Sequence, residues 1–208
     1  MEIMIKLINI KKRYGEKILY SDLSDCLKSA SCTCITGSNG SGKSTLLKII
    51  GSLIAADSGQ VAVFQDGNRL KRDEYQRLIG MVAPDLALYD HLNAIENIQF
   101  FAGFRNCNLT YETIVDNLFK VGLAGIEDKL VKTFSTGMKQ RLKLAVLASS
   151  NLPIWLLDEP SSNLDLEGKS MVKKLIQESV DSGKLVILAT NEEQEVEYAS
   201  HILNLAKH

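Results

Sequence analysis

The stretch GSNGSGKS at residues 37–44 constrains the fold more than any other part of this chain. It fits the pattern G-x-x-x-x-G-K-[S/T], which carries meaning only between a strand and a helix. Both flanks comply. SCTCIT before it is a short β-rich run, and SGKSTLLKIIGSL has helical periodicity, with Leu46, Leu47, Ile50 and Leu53 on one face. Gly37, Gly40 and Gly42 let the backbone wrap a phosphate without Cβ clashes, with Ser38, Asn39, Ser41 and Thr45 completing the cradle. Amides at the helix start and the helix dipole then favour the anion. Lys43 is set to reach the β- and γ-phosphates, and the Ser44 hydroxyl to ligand Mg²⁺.

Around this unit the chain alternates in kind. MIKLINIKKRY and KILYSDLS, separated by a turn at Gly15–Glu16, read as paired strands, and GQVAVFQDG as another strand. HLNAIENIQFFAGF, TYETIVDNLFKVGL and TGMKQRLKLAVLASS read as helices with no strand between them. The end returns to α/β: PIWLLDEP strand, LEGKSMVKKLIQESVDSG helix, LVILATN strand, EQEVEYA helix and HILNLAK strand. The runs at 154–157 and 185–189 are continuously apolar, as in central strands of a parallel sheet covered on both faces. The expected layout is a single α/β domain. Its catalytic core is 1–84 and 152–208, including an antiparallel β subdomain, and a helical subdomain occupies 85–151.

Two further stretches carry chemistry. IWLLDEP ends a buried strand in two acids. Asp158 at the tip is the expected Mg²⁺ carboxylate, either as a direct ligand or through a bound water. Glu159, one residue on, is placed to orient and deprotonate an attacking water. FSTGMKQRLKLA (134–145) starts a helix with a serine hydroxyl and backbone amides, a second anion site by the same physics; the plain alternative is an N-cap at Ser135.

That third stretch resembles the signature of the ATP-binding-cassette (ABC) ATPases, LSGGQ followed by a basic helix with Gln-Arg. Ser135, Gly137 and Gln140–Arg141 keep the pattern, whereas Phe134, Thr136 and Met138 depart from it. The resemblance extends over residues 3–207 in the family's order. It implies a P-loop NTPase fold: a RecA-like parallel core, an N-terminal antiparallel β subdomain and an ABC-specific helical subdomain. It also implies that Tyr14 stacks on adenine, that Asp165 in SSNLD is the D-loop acid, and that Ser135, Thr136, Gly137 and Met138 face a nucleotide on the opposite subunit. ATP with Mg²⁺ is the expected ligand, and an ATP-dependent homodimer the expected state. Asn191, after the strand 185–189, stands where the family has a switch histidine; the expected role is to sense the γ-phosphate. IGMVAPDLALYDHLNAIENIQFF (79–101) resembles the Q-loop region, but the glutamine position is Pro84, followed by Asp85. Proline offers no side-chain ligand. Either Asp85 substitutes as a metal ligand, or the metal relies on Ser44, Asp158 and water. The second is preferred, because a one-residue shift needs a rearranged loop.

Composition narrows the role. Net charge is -1 with 45% hydrophobic residues, so nothing draws the chain toward nucleic acid. No apolar run reaches the ~20 residues of a membrane-spanning helix, and the N-terminus lacks a signal-peptide core. Any transport path therefore lies on a separate integral membrane permease, with this chain peripheral on the inner face of the membrane. Leu86, Leu88, Tyr89, Phe100, Phe101 and Phe104 line the region that docks a permease helix, and most of them are expected in the core. The STGMKQR signature is similar to export-type cassettes, including haem and cytochrome-c-biogenesis exporters. The competing readings are a soluble iron–sulfur-assembly type of ABC ATPase and a nucleotide-gated switch with little turnover. Cys26, Cys32, Cys34 and Cys107 are expected as buried free thiols.

Overall fold

A computed structural model describes residues 1–104 and 109–207. The chain opens on an antiparallel pair, β1 (Ile3–Tyr14) and β2 (Lys17–Lys28). Ile3, Ile5 and Leu7 alternate into the core, and the phase then slips so that Ile10 is buried next. The slip is a bulge at Asn9, whose φ of 49° lies in the left-handed region that asparagine tolerates. β3 (Ser31–Thr36) leads through the glycine-rich loop into α1 (Lys43–Ile50). β4 (Ser58–Gln65) pairs with β1 and with the two-residue β5 (Asn68–Arg69). The short α2 (Arg72–Gln76) precedes β6 (Ile79–Val82).

Three helices follow: α3 (Ala94–Gly103), α4 (Tyr111–Lys120) and α5 (Thr136–Ser149). The chain then runs β7 (Ile154–Asp158), α6 (Leu166–Asp181), β8 (Leu185–Ala189), α7 (Glu193–Val196) and β9 (His201–Asn204). The first sheet has the order β2-β1-β4-β5, and the second β6-β7-β8-β3-β9. The β7–β8, β8–β3 and β3–β9 pairs are parallel. All five residues of β7 and of β8 are buried, as the apolar runs 154–157 and 185–189 require, with Asp158 the one acid at the end of β7. β3 lies beside β8, so the loops after β3, β7 and β8 emerge at the same edge of the sheet.

The chain divides into two compact units. The first comprises 1–81, 153–159 and 176–208 and holds both sheets; the second comprises 82–152 and 160–175. Segment 160–175, expected with the core, therefore groups with the helices. Two bonds bind it there: Gln140 Nε2 donates to the Pro160 carbonyl at 2.9 Å, and Arg141 Nη2 to Asp165 Oδ1 at 3.1 Å. In this unit α3 and α4 pack against α5, whose Leu142, Leu144, Ala145, Val146 and Leu147 are all buried. A capping box starts α3: Asn93 Oδ1 accepts from the Glu96 amide, and Glu96 Oε2 from the Asn93 amide, both at 2.8 Å. The fully buried Asn97 then bonds the Tyr89, Leu92 and Asn93 carbonyls and the Tyr89 amide, which fixes the turn before the helix.

Several expectations fail for local reasons. Leu53 is 62% exposed, because α1 stops at Ile50 with a Gly51 cap and Leu53 falls beyond it. Of Leu86, Leu88, Tyr89, Phe100, Phe101 and Phe104, none is buried, and Phe104 is 74% exposed. The face that α3 buries carries Ala94, Ile95, Asn97, Ile98 and Ala102, so its phenylalanines are turned off it. They stack on each other instead, with ring centroids 4.2 Å apart for Tyr89–Phe100 and 4.8 Å for Phe100–Phe104. Cys32 and Cys34 are buried thiols, as their shared strand face predicts, but Cys26 is exposed. Cys107 lies outside the described residues.

Candidate functional site

In the first unit, the loop between β3 and α1 is shaped by its last glycine. Gly42 has φ 103°, and a Cβ there would sit 2.9 Å from Leu19 Cδ1 and 3.0 Å from Tyr20 Cε1. α1 starts on that glycine with no side-chain cap and no acidic residue in its first turn, which leaves its positive end to a ligand. Lys43, only 7% exposed, folds back over the loop. Its Nζ donates to the Gly37 carbonyl at 2.8 Å, the Ser38 carbonyl at 3.2 Å and Asn191 Oδ1 at 2.7 Å. The other end of the same amide, Asn191 Nδ2, donates to Glu159 Oε1 at 2.7 Å. Chemistry fixes this amide orientation, because an ammonium only donates and a carboxylate only accepts.

Glu159 is held in the left-handed region at φ 49°, its amide bonded to the Ala189 carbonyl at 2.8 Å. That backbone conformation costs a non-glycine residue about 1–3 kcal/mol and is retained where the surroundings over-determine it. Ser44 Oγ donates to Asp158 Oδ1 at 2.9 Å, and Asp158 is 5% exposed at the end of β7. Tyr14, 56% exposed, joins Leu19, Asn39, Lys43, Glu159 and Asn191 around one cavity of about 350 Å³. The loop, the two acids after the buried strand, Tyr14 and Asn191 are thus brought together.

Ser44 and Asp158 present hard oxygen donors side by side. No group of three or more His, Cys, Asp or Glu able to hold a metal occurs among the described residues. Two protein oxygens beside a phosphate loop suit a small octahedral cation that keeps waters and takes phosphate oxygens, which fits Mg²⁺. Below the loop, Cys34 is pushed up to about 11 by burial, then by Glu195, with Lys43 opposing, so it stays a thiol at neutral pH.

The remaining sequence-selected residues lie in the second unit. Ser135 caps α5, its hydroxyl accepting from the Met138 amide at 3.2 Å, so the plain capping function is the bond it makes here. A Cβ at Gly137 would lie 3.0 Å from the Asn163 carbonyl, which explains the glycine at this close approach. Thr136 and Gln140 line a cavity of about 310 Å³ together with Pro84, Lys139, Lys143 and Asn163. Asp165 accepts from the Gly168 amide at 2.8 Å and from Arg141. Those partners, the amide first, hold its carboxyl below the ordinary range. Asp85 and Pro84 are exposed.

Two lysines with defined partners escaped the sequence reading. Lys17 Nζ donates to the Gly40 carbonyl at 3.0 Å, and Lys17 lines the same cavity as the glycine-rich loop. Lys143, 8% exposed, donates to the Pro84 carbonyl at 2.9 Å and the Ala83 carbonyl at 3.2 Å, and burial lowers its pKa against the opposing charge of Asp85. A lysine gripping distant backbone leaves no spacing signal in the sequence.

Comparison with known proteins agrees with this arrangement. Residues 20–162 match the family model described as ABC transporter. The cytochrome c biogenesis ATP-binding export protein CcmA of Histophilus somni is 35% identical over 189 residues, covering 91% of this chain and 87% of that protein. The lantibiotic transport ATP-binding protein SrtF of Streptococcus pyogenes is 30% identical over 200 residues, covering 96% and 85%. The dimeric structure of the ATP-binding cassette MJ0796, in a post-hydrolysis state with ADP and Pi, superposes with a TM-score of 0.82 at 27% identity, covering 96% and 93%. The parallel sheet with its phosphate loop after β3 is the P-loop NTPase α/β core of these cassettes. The chain belongs to the ABC transporter family and is one of its ATP-binding, ATP-hydrolysing subunits.

Proposed function

We propose that this subunit hydrolyses MgATP in a head-to-tail homodimer to drive export through separate integral membrane permease subunits, from the cytoplasmic face of the membrane. The observation that carries the assignment is the continuous chain Lys43–Asn191–Glu159, set beside the Ser44–Asp158 pair in one cavity. Lys43 exchanges its carbonyl partners for the β- and γ-phosphates, and the loop amides from Gly37 to Thr45 hold the same groups. Tyr14 offers its exposed ring to the adenine. Ser44 and Asp158 would hold Mg²⁺, which would supply positive charge against the phosphates. Glu159 orients a water in line with the γ-phosphate and accepts its proton, while Asn191 fixes the carboxylate.

Ser135, Thr136, Gly137 and Met138 of a second copy close over the nucleotide, with Asp165 as the D-loop acid; that the MJ0796 cassette is dimeric supports a dimer. The exposed Tyr89 and Phe104, both packed on the half-buried Phe100, form an apolar surface suited to a permease helix. The export direction rests on relatives named as export and lantibiotic-transport proteins.

Glu159→Gln with saturating MgATP is expected to move the chain from monomer to dimer on size exclusion and to abolish phosphate release. A Gln variant that stays monomeric with ATP, or still turns over, would refute the assignment. A second reading, a nucleotide-gated switch with little turnover, is favoured by Pro84 and Asn191 at positions where the family has glutamine and histidine. Phosphate release by the wild-type chain with its permease separates the two.

A further inference from the structure

We infer that Lys17 is a second phosphate-binding cation of the nucleotide site. This rests on the nucleotide reading above and adds to it a residue outside the loop motif. Lys17 is the first residue of β2, three positions after Tyr14. Its Nζ reaches across to the Gly40 carbonyl at 3.0 Å and lines the same cavity as Asn39, Gly42, Lys43, Ser44 and Thr45. The two lysines together occupy three carbonyls of one short loop: Lys43 takes those of Gly37 and Ser38, and Lys17 that of Gly40.

Carbonyl oxygens are weak partners for an ammonium group compared with a phosphate oxygen, which carries charge. Both ammonium groups are therefore held at the lip of the cavity by bonds that a phosphate chain outcompetes. Lys43 is the first residue of α1 and is nearly buried, so it serves the terminal phosphates. Lys17 comes from β2 and is exposed, beside Tyr14 and on the outer bend of the loop. An ammonium group there binds an anionic phosphate chain in preference to a neutral base nitrogen. Its partner is the phosphate chain, which is anionic in ADP as well as ATP. Lys17 thus neutralises charge that Lys43 does not cover and releases the Gly40 carbonyl to solvent when nucleotide enters.

The test uses the full chain and MgADP, which avoids turnover and ATP-driven dimerisation. Binding is measured by calorimetry at 50 mM and 300 mM NaCl for the wild type, Lys17→Gln, Lys17→Arg and, as control, Lys43→Ala. Lys17→Gln is expected to weaken MgADP binding about five- to tenfold at low salt, a loss that shrinks at high salt as an exposed charge contact is screened. Lys17→Arg is expected to restore affinity to within twofold. The melting temperature without nucleotide should be unchanged, since Lys17 is exposed. Lys17→Gln binding as tightly as the wild type at 50 mM NaCl would overturn the inference while leaving the site reading intact. So would an equal loss at both salt concentrations. A wild-type chain that binds no MgADP would overturn the site reading itself and this inference with it.

Discussion

Under the proposed function Asn191 joins the group that would grip phosphate, Lys43, to the group that would hold the water, Glu159, so replacing it tests that proposal in one step. Its amide spans Lys43 Nζ and Glu159 Oε1 with two bonds of 2.7 Å. A hydrogen bond to a charged group is worth about 1.5–3 kcal/mol when shielded. Asn191 is exposed, so water replaces part of each bond, and about half of one such bond, roughly 0.8–1.5 kcal/mol, is the expected contribution to holding Glu159. That corresponds to a fall in kcat of about four- to twelvefold for Asn191→Ala. KM should hold or drop slightly, because Lys43 loses a competitor for the phosphates.

Asn191→His adds a pH test with a definite sign. Neutral imidazole has one donor and one acceptor and can serve both partners, whereas imidazolium has no acceptor for Lys43. The ratio of kcat for Asn191→His to wild type should therefore be flat above pH about 7. It should fall as pH drops through about 6.5, the ordinary histidine value. Steady-state phosphate release between pH 5.5 and 8.5 reads both effects. A kcat for Asn191→Ala within twofold of wild type, or a ratio for Asn191→His that is flat across the range, would refute the coupling.

Other expectations follow from the same geometry. Lys143→Met removes a buried charge and its grip on the Ala83 and Pro84 carbonyls; the melting temperature should stay within about 3 °C or rise. A loss of more than 6 °C by scanning calorimetry would show that the two carbonyl bonds outweigh desolvation. Cys32 and Cys34 are pushed up to about 12 and about 11, chiefly by burial, so at pH 8 they should resist a thiol reagent that labels exposed Cys26 within minutes. Peptide mapping after labelling checks this, and fast modification of Cys32 in the folded chain would contradict its burial.

Sequence legibility tracked how local each cause is. The loop 37–44, the apolar runs of β7 and β8 and the α5 cap at Ser135 announce themselves through composition and spacing within ten residues. β6 did not, because IGMV is four residues long and joins the sheet only at its edge, beside β7. The phase of α3 misled in the other direction. FFAGF looks like core until Asn97, a polar residue, is seen to take a buried position and turn the aromatic rings outward. The grips of Lys17 and Lys143 are bonds to backbone 23 and about 60 residues away, and main-chain oxygens have no letter in a sequence. Asn191 was legible as a position but not as a bridge, since its Lys43 bond spans 148 residues.

Under the proposed function, the left-handed backbone at Glu159 sets stability and function against each other at one residue. Glycine would relax the φ of 49° at little conformational cost, so Glu159→Gly exchanges a side chain for strain relief. A selection scheme that rewards thermal resistance alone would thus be drawn toward an inactive chain at this position. It also separates two kinds of inactive variant. Glu159→Gln keeps the strained bend and reports on the carboxylate, whereas a glycine variant changes the turn as well and reports on both together.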